Sequence, residues 1–133
     1  MNTSLFKWTL LVLSGAVLAA ETAGKLYPSF EARSQDSSNP TFVFSEGYAT
    51  SDAPIVITTP GRNLTDSDRQ HRVHLEKYWL SVNVPKELEY RFRSLDECGL
   101  KRAGEFAACD HYVFVDPKSD REFHYYFYVG NWP

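Results

Sequence analysis

Short apolar runs, separated by turn-forming residues, predict a small domain of strands with one helix. Residues 41–44 and 54–59 are two such runs, and we predict two strands that pair as a hairpin or a wider β-arch. Thr65 then offers an N-cap for a helix over residues 66–77. A strand that begins at His71 is the alternative, because apolar residues also alternate there.

The second half of the chain changes to the two-residue period of strands. Residues 78–84 alternate in this way, which predicts a strand that ends at Pro85. Residues 88–93 predict a further strand, and a helix is the alternative because their apolar positions also fit a period of 3.6. The runs at 111–115 and 121–129 flank the turn sequence Asp-Pro-Lys-Ser-Asp and predict a hairpin.

This order predicts a single α+β domain at residues 41–133. We expect an N-terminal β-hairpin, one short helix, and then a four-stranded antiparallel sheet on which the helix packs. Residues 20–40 are polar and contain two prolines, so we expect a flexible arm there. Residues 1–19 resemble a secretory signal peptide, since Lys7 precedes a short apolar run that ends in small residues. That run is too short to span a bilayer, so we expect an exported protein without a membrane span.

The charge balance argues against one class of partner. The chain has 133 residues, with 14 Lys and Arg against 17 Asp and Glu. Lys7 is the one charged residue of the predicted signal, so the mature chain would carry 13 basic and 17 acidic side chains. A nonspecific binder of nucleic acid or anionic membranes usually has a basic surface, which this composition does not favour.

Cys98 and Cys109 are the two cysteines of the chain. In an exported protein an isolated pair usually forms a disulfide, here a local staple worth roughly 2–3 kcal/mol. The pair lacks the Cys-x-x-Cys spacing of redox sites, and no zinc-ligand spacing accompanies it, so we expect no metal and no other cofactor. Asn63 lies in an Asn-x-Thr acceptor sequence for N-glycosylation.

The last predicted strand has two faces of different character. One face is apolar, and the other carries His124, Tyr126 and Tyr128. Amphipathic rings on an exposed strand often mark a contact surface, so we expect these residues and Trp132 to form a binding surface. Packing of this face under the helix or the N-terminal hairpin is the alternative. A histidine beside a carboxylate can also move a proton to or from a hydroxyl, and His74, Glu89 and His124 are the candidate catalytic residues.

Three stretches carry a resemblance to a known family. They are Leu-Ser-Val-Asn-Val-Pro running to Glu89-Tyr90, Asp-His-Tyr-Val-Phe at 110–114, and His124 followed by Gly-Asn-Trp at 130–132. Together with the predicted order of elements, they resemble the small guanyl-specific ribonucleases secreted by fungi and the ribonuclease-like effectors of plant-pathogenic fungi. The resemblance implies a catalytic base pair of His74 and Glu89 and a general acid at His124. His111 stands where the family places a phosphate-binding Arg, and the family's terminal cysteines are missing.

Without that Arg, an acidic chain is poorly equipped to bind RNA. We therefore expect a small secreted, effector-like protein that contacts a host or extracellular protein without catalysis, outside cells or after translocation into host cells. A secreted ribonuclease with a His74, Glu89 and His124 site is the first alternative. A carbohydrate-binding module that uses Trp79, Tyr126 and Trp132 is the second.

Overall fold

The computed structural model describes residues 24–33, 41–102 and 105–133. In chain order these form β1 (Phe30–Arg33), β2 (Thr41–Phe44), β3 (Ile57–Thr58), α1 (Asp66–Arg69), α2 (Arg72–Asn83), β4 (Glu89–Arg102), β5 (Glu105–Val115) and β6 (Glu122–Tyr128). The fold is mixed α+β, with two antiparallel three-stranded sheets ordered β1-β2-β3 and β4-β5-β6. No helix within the described ranges has the length and apolar character needed to cross a membrane.

The N-terminal segment differs from the predicted arm. The predicted signal at residues 1–19 lies outside the described residues, as do residues 20–23 and 34–40 of the arm. Residues 24–33 are ordered, because β1 pairs antiparallel with β2 and the side chains of Tyr27 and Ala32 are buried. The prediction that ordered structure begins at Thr41 is therefore wrong: a few apolar side chains suffice to dock this polar segment on the edge of β2.

The first sheet continues into the edge of the second. The predicted pairing of 41–44 with 54–59 is confirmed, since β2 and β3 are antiparallel neighbours. Just before β3, Ile55 forms a parallel bridge with Phe127 of β6. The Ile55 amide donates to the carbonyl oxygen of Tyr126, and the Ile55 carbonyl accepts from the amide of Tyr128, each at 2.9 Å. One short segment thus joins the two sheets.

The strand predicted over 78–84 is wrong, because residues 78–83 continue helix α2 and Val84 is its C-cap. Thr65 is the N-cap as predicted, and its side chain and that of Asp68 form a capping box for α1. The helical region then extends past residue 77 to Asn83. The buried residues of α2 are Leu75, Glu76, Trp79 and Leu80. Their spacing is that of one helical face, but an acidic residue stands within it, which obscures the apolar period.

The sheet that was predicted to have four strands therefore has three. The strand at 88–93 is confirmed as part of β4, and the hairpin is confirmed as β5 and β6. Helix α2 packs on one face of this sheet, where the Trp79 ring centroid lies 5.3 Å from that of Phe127 and 6.1 Å from that of Tyr125. We call this side the helix face, and the opposite side the open face.

A β-bulge in β4 decides which side chains reach each face. Tyr90 pairs with Phe114, but Phe92 pairs with Val113, so Arg91 has no partner in the register. Because one extra residue reverses the alternation that follows it, Phe92 lies on the open face although Tyr90 lies on the helix face. In a regular strand over 88–93, Tyr90 and Phe92 would share a face, and the bulge separates them.

The predicted disulfide is present. Cys98 of β4 and Cys109 of β5 are bonded, with their Cα atoms 5.7 Å apart, and both side chains are buried. The two residues lie on long neighbouring strands, so the bridge fastens a hairpin rather than an irregular loop.

A buried acidic pair lies between α2 and the sheet. Glu76 Oε1 accepts a 2.7 Å hydrogen bond from the Tyr112 hydroxyl. Burial, and next the hydrogen bond and charge of Asp110, raise the pKa of Glu76 to about 9. Glu76 Oε2 and Asp110 Oδ2 are both buried without another hydrogen-bond partner. A proton on Glu76 that is donated to Asp110 would satisfy both oxygens.

This shared proton predicts a specific pH dependence for Glu76→Gln. The pKa of Glu76 is about 9 in the folded protein against 4.5 for the ordinary group, so the folded state holds the proton more tightly. The stabilisation is complete below the unfolded pKa and is lost as the pH rises toward 9. We expect the wild-type free energy of unfolding to decline between those values and the glutamine variant to lack that decline. Urea unfolding at several pH values measures it.

Glu87→Gln, at an exposed position before β4, is the matched control and should keep the wild-type slope. Equal slopes for the wild type and Glu76→Gln would show that no proton is shared between Glu76 and Asp110.

Candidate functional site

The open face carries a continuous chain of hydrogen-bonded side chains. Ser94 Oγ donates to Asp96 Oδ2 at 2.7 Å, and the same carboxylate oxygen lies 2.6 Å from His111 Nδ1. His111 Nε2 lies 2.6 Å from His124 Nδ1, and His124 Nε2 lies 3.4 Å from Glu122 Oε1. We call Asp96, His111, His124 and Glu122 the histidine relay.

Strand register places these residues together. Ser94 pairs with His111, which pairs with Tyr126 of β6, while His124 pairs with Val113 one row away. Asp96 and His124 are therefore diagonal neighbours of His111, within reach of polar side chains. Since the bulge precedes Ser94, it puts the β4 members of the chain on the same face as the two histidines.

The hydrogen bonds determine which ring nitrogen of each histidine carries the proton. The hydroxyl of Ser94, and next the imidazole of His111, hold the pKa of Asp96 below its ordinary value. An ionised Asp96 accepts the Nδ1 proton of His111, so His111 Nε2 accepts from Nδ1 of His124. His124 Nε2 then has a lone pair at the solvent-exposed end of the relay. The arrangement can take up a proton there, and the protonated ring can donate to Glu122.

Tyr126 fixes the central ring of the relay. Its ring stacks on His111 with centroids 4.2 Å apart and planes 9° from parallel. The His111 side chain is 11% exposed, whereas that of His124 is 41% exposed. Burial, and next the charge of Asp96, raise the pKa of Tyr126. His111 is thus the fixed, mostly buried member of the relay, and His124 is its accessible end.

A cleft of about 320 Å³ adjoins the accessible end of the relay, and its lining includes Lys25, Tyr48, Ser51, His124 and Tyr126. Its wall is held by an edge contact in which the Tyr126 amide donates to the Ala49 carbonyl at 2.8 Å. Ala49 has a φ of 57°, a left-handed conformation uncommon outside glycine. We call this the His124 cleft.

The predicted catalytic residues are placed on two sides of the sheet. Glu89 pairs with Val115, which pairs with Glu122, so Glu89 shares the open face with His124. His74 lies on the exposed side of α2, the helix that covers the other face. The sheet therefore separates His74 from His124, whose polar contacts go to His111 and Glu122 instead.

The predicted binding surface is only partly assembled. Tyr128 pairs with Cys109, which places it with Tyr126 and His124 on the open face. Trp132 is 9% exposed and its ring stacks on Phe42 in the core, so it does not belong to the surface. Trp79 is fully buried. Two of the three rings proposed for carbohydrate binding, Trp79 and Trp132, are therefore not available at the surface. Asn63 is exposed, in the connection that precedes α1.

Asp96 and Ser94 were not recognised from the sequence. Their spacing of two residues puts them on one strand face, and Cys98 two positions later shares it. That spacing indicates that the two side chains share a face, but it does not show which histidine of β5 lies beside them. Within the described ranges, no three His, Cys, Asp or Glu side chains are grouped so as to hold a metal ion.

Comparison of the chain with protein-family models, with curated proteins and with solved structures gives no match.

The relay predicts the tautomer of His111. With ionised Asp96 as acceptor, His111 should carry its proton on Nδ1 at a pH where both rings are neutral. In Asp96→Asn the acceptor is replaced by an amide that can also donate, so the Nε2 tautomer should become populated at His111 and change the proton position at His124. Long-range ¹H–¹⁵N NMR correlations of the imidazole rings report this directly.

Glu97→Gln is the matched control, since it alters the next side chain of β4, whose partner in the register is Ala108. An unchanged His111 tautomer in Asp96→Asn would mean that Asp96 does not set the direction of the relay.

Proposed function

We propose that this is an exported, effector-like protein that binds a host or extracellular protein through its open face, without catalysis. The observation that carries the proposal is the fixed set of rings on that face: His111, His124 and Tyr126 are locked by stacking and hydrogen bonds while His124 stays accessible. Rigid rings lose little conformational entropy on binding and are frequent anchors of interfaces. The disulfide is compatible with an extracellular location, and the predicted signal supports export.

The charges of the open face indicate the kind of partner. Glu89, Asp96 and Glu122 surround the rings, and Phe92 among them is 50% exposed. Acidic groups around an apolar centre favour a partner whose surface is basic at its rim and apolar in its middle. This proposal therefore commits to a protein with a basic contact patch.

Alanine substitution tests the binding surface. In Tyr126→Ala and in Tyr128→Ala, affinity for the purified partner should fall by about 2 kcal/mol, roughly thirtyfold, because each change removes an aromatic anchor. The melting temperature should stay within a few degrees of the wild type. The partner is first isolated by capture on the purified protein, and affinity is then measured by calorimetry with both proteins pure.

Tyr90→Ala is the matched control, because Tyr90 is a half-exposed tyrosine of the same sheet on the helix face. Equal losses of affinity in Tyr90→Ala and Tyr126→Ala would place the interface elsewhere. Unfolding of Tyr126→Ala would show that the open face is part of the core.

Acid–base catalysis is a second candidate, favoured by the relay. The His124 side chain is 41% exposed at the relay's end, beside a cleft that also contains Lys25. Such a base is able to take a proton from a substrate hydroxyl, whereas the resemblance to secreted ribonucleases implies a general acid at His124. The three acidic residues on the same face would repel the phosphates of RNA, which is why this candidate ranks second.

Incubation with total RNA distinguishes the two candidates. The binding proposal predicts no cleavage by the purified protein at any pH between acidic and neutral values. The ribonuclease alternative predicts cleavage that is lost in a His124→Ala, Glu89→Gln double variant. His74→Ala is the histidine control, and it should keep any such activity because His74 lies across the sheet. Cleavage with that pattern would overturn the binding proposal.

A further inference from the structure

A second cleft lies between helix α2 and the helix face of the sheet, away from the histidine relay. Its volume is about 460 Å³, within the range of small-molecule sites. Residues from the end of α2, from the connection to β4 and from the two strands β4 and β5 line it. We call it the lysine cleft and define it by Lys77, Leu80, Val84, Lys86, Leu88 and Phe114.

The body of the lysine cleft is apolar. Leu80 is nearly buried at its base, and Val84, Leu88 and Phe114 present partly exposed side chains to it. Tyr90 adds a half-exposed ring at the edge. Such a concave apolar surface gains free energy when an apolar group displaces its water.

The polar atoms of the lining are distributed unevenly. The Ser81 hydroxyl already donates to the Tyr78 carbonyl at 2.6 Å, and the Tyr112 hydroxyl already donates to Glu76. Lys77 and Lys86 enter no ion pair with the residues that the structure describes. The two ammonium groups are thus available to a ligand, and no acidic side chain lines the cleft beside them.

Size and charge together select one occupant. A stable protein interface buries about 800 Å² on each partner, more than this local depression offers, and a cationic ligand would meet two ammonium groups of its own sign. We propose that the lysine cleft binds a small amphipathic anion, with an apolar chain or ring over Leu80, Leu88 and Phe114 and a single carboxylate or sulfonate near Lys77 and Lys86. This site is independent of the open face.

Decanoate is a suitable probe, with decanol as its uncharged counterpart. Calorimetry should show saturable binding of decanoate to the wild-type protein, and decanol should bind about tenfold more weakly, equivalent to 1.4 kcal/mol. The Lys77→Gln, Lys86→Gln double variant should bind decanoate about tenfold more weakly than the wild type, and decanol unchanged. Amide chemical-shift changes on titration should be centred on Ser81, Lys86 and Leu88.

Lys25→Gln, Lys118→Gln is the matched control, with the same loss of charge at exposed positions away from the lysine cleft; it should bind decanoate like the wild type. Leu88→Glu, which places an acid in the apolar body, should abolish decanoate binding while the far-ultraviolet circular dichroism is retained. The proposal is overturned if decanoate does not bind saturably, if both double variants lose affinity equally, or if the shift changes centre on the His124 cleft.

Discussion

The contact on which the arrangement depends is the burial of Trp79 between the two sheets. Its indole ring meets Tyr27 from the N-terminal segment and Tyr125 and Phe127 from β6, each close to edge-on. Such aromatic pairs contribute about 0.5–1.5 kcal/mol each beyond the burial of their area. Because Trp79 holds α2 against the side of the sheet that carries Tyr125 and Phe127, the helix leaves the opposite face uncovered. The accessible end of the relay, at His124, lies on that face.

The sequence was most informative where a strand has one buried and one exposed face. The β5–β6 hairpin follows its alternation and its turn residues, and β2 follows its apolar run. Helix α2 was mistaken for a strand in its second half because Tyr78 and Val82 are apolar but exposed, whereas Glu76 is buried. A buried acid that shares its proton is counted as a surface residue when a helix is predicted from the spacing of apolar residues.

The sequence indicates which residues belong to the site, but it does not indicate which of them form hydrogen bonds with one another. His124 and Tyr126 were recognised because they stand on the polar side of an obvious strand. The contribution of Asp96 depends on the pairing of β4 with β5, and the extra residue at Arg91 shifts that pairing by one position. Hydrogen bonds between strands distant in sequence are fixed by such register choices. His74 entered the predicted site as a candidate catalytic histidine and through the family resemblance, and the sequence does not show that its helix covers the face of the sheet opposite His124.

The bulge in β4 also determines which kinds of change this strand can tolerate. Before it, odd-numbered Glu89 faces the open side, and after it the even-numbered Ser94, Asp96 and Cys98 do. Loss of Arg91 itself would close the bulge and leave Tyr90 opposite Phe114 and Phe92 opposite Val113, so Asp96 and Cys98 would still lie on the same face as His111 and Cys109. Replacement of Arg91 by another residue would disturb neither pairing. The bulge therefore allows this strand to lose a residue at position 91 without a change in the register on which both the relay and the disulfide depend.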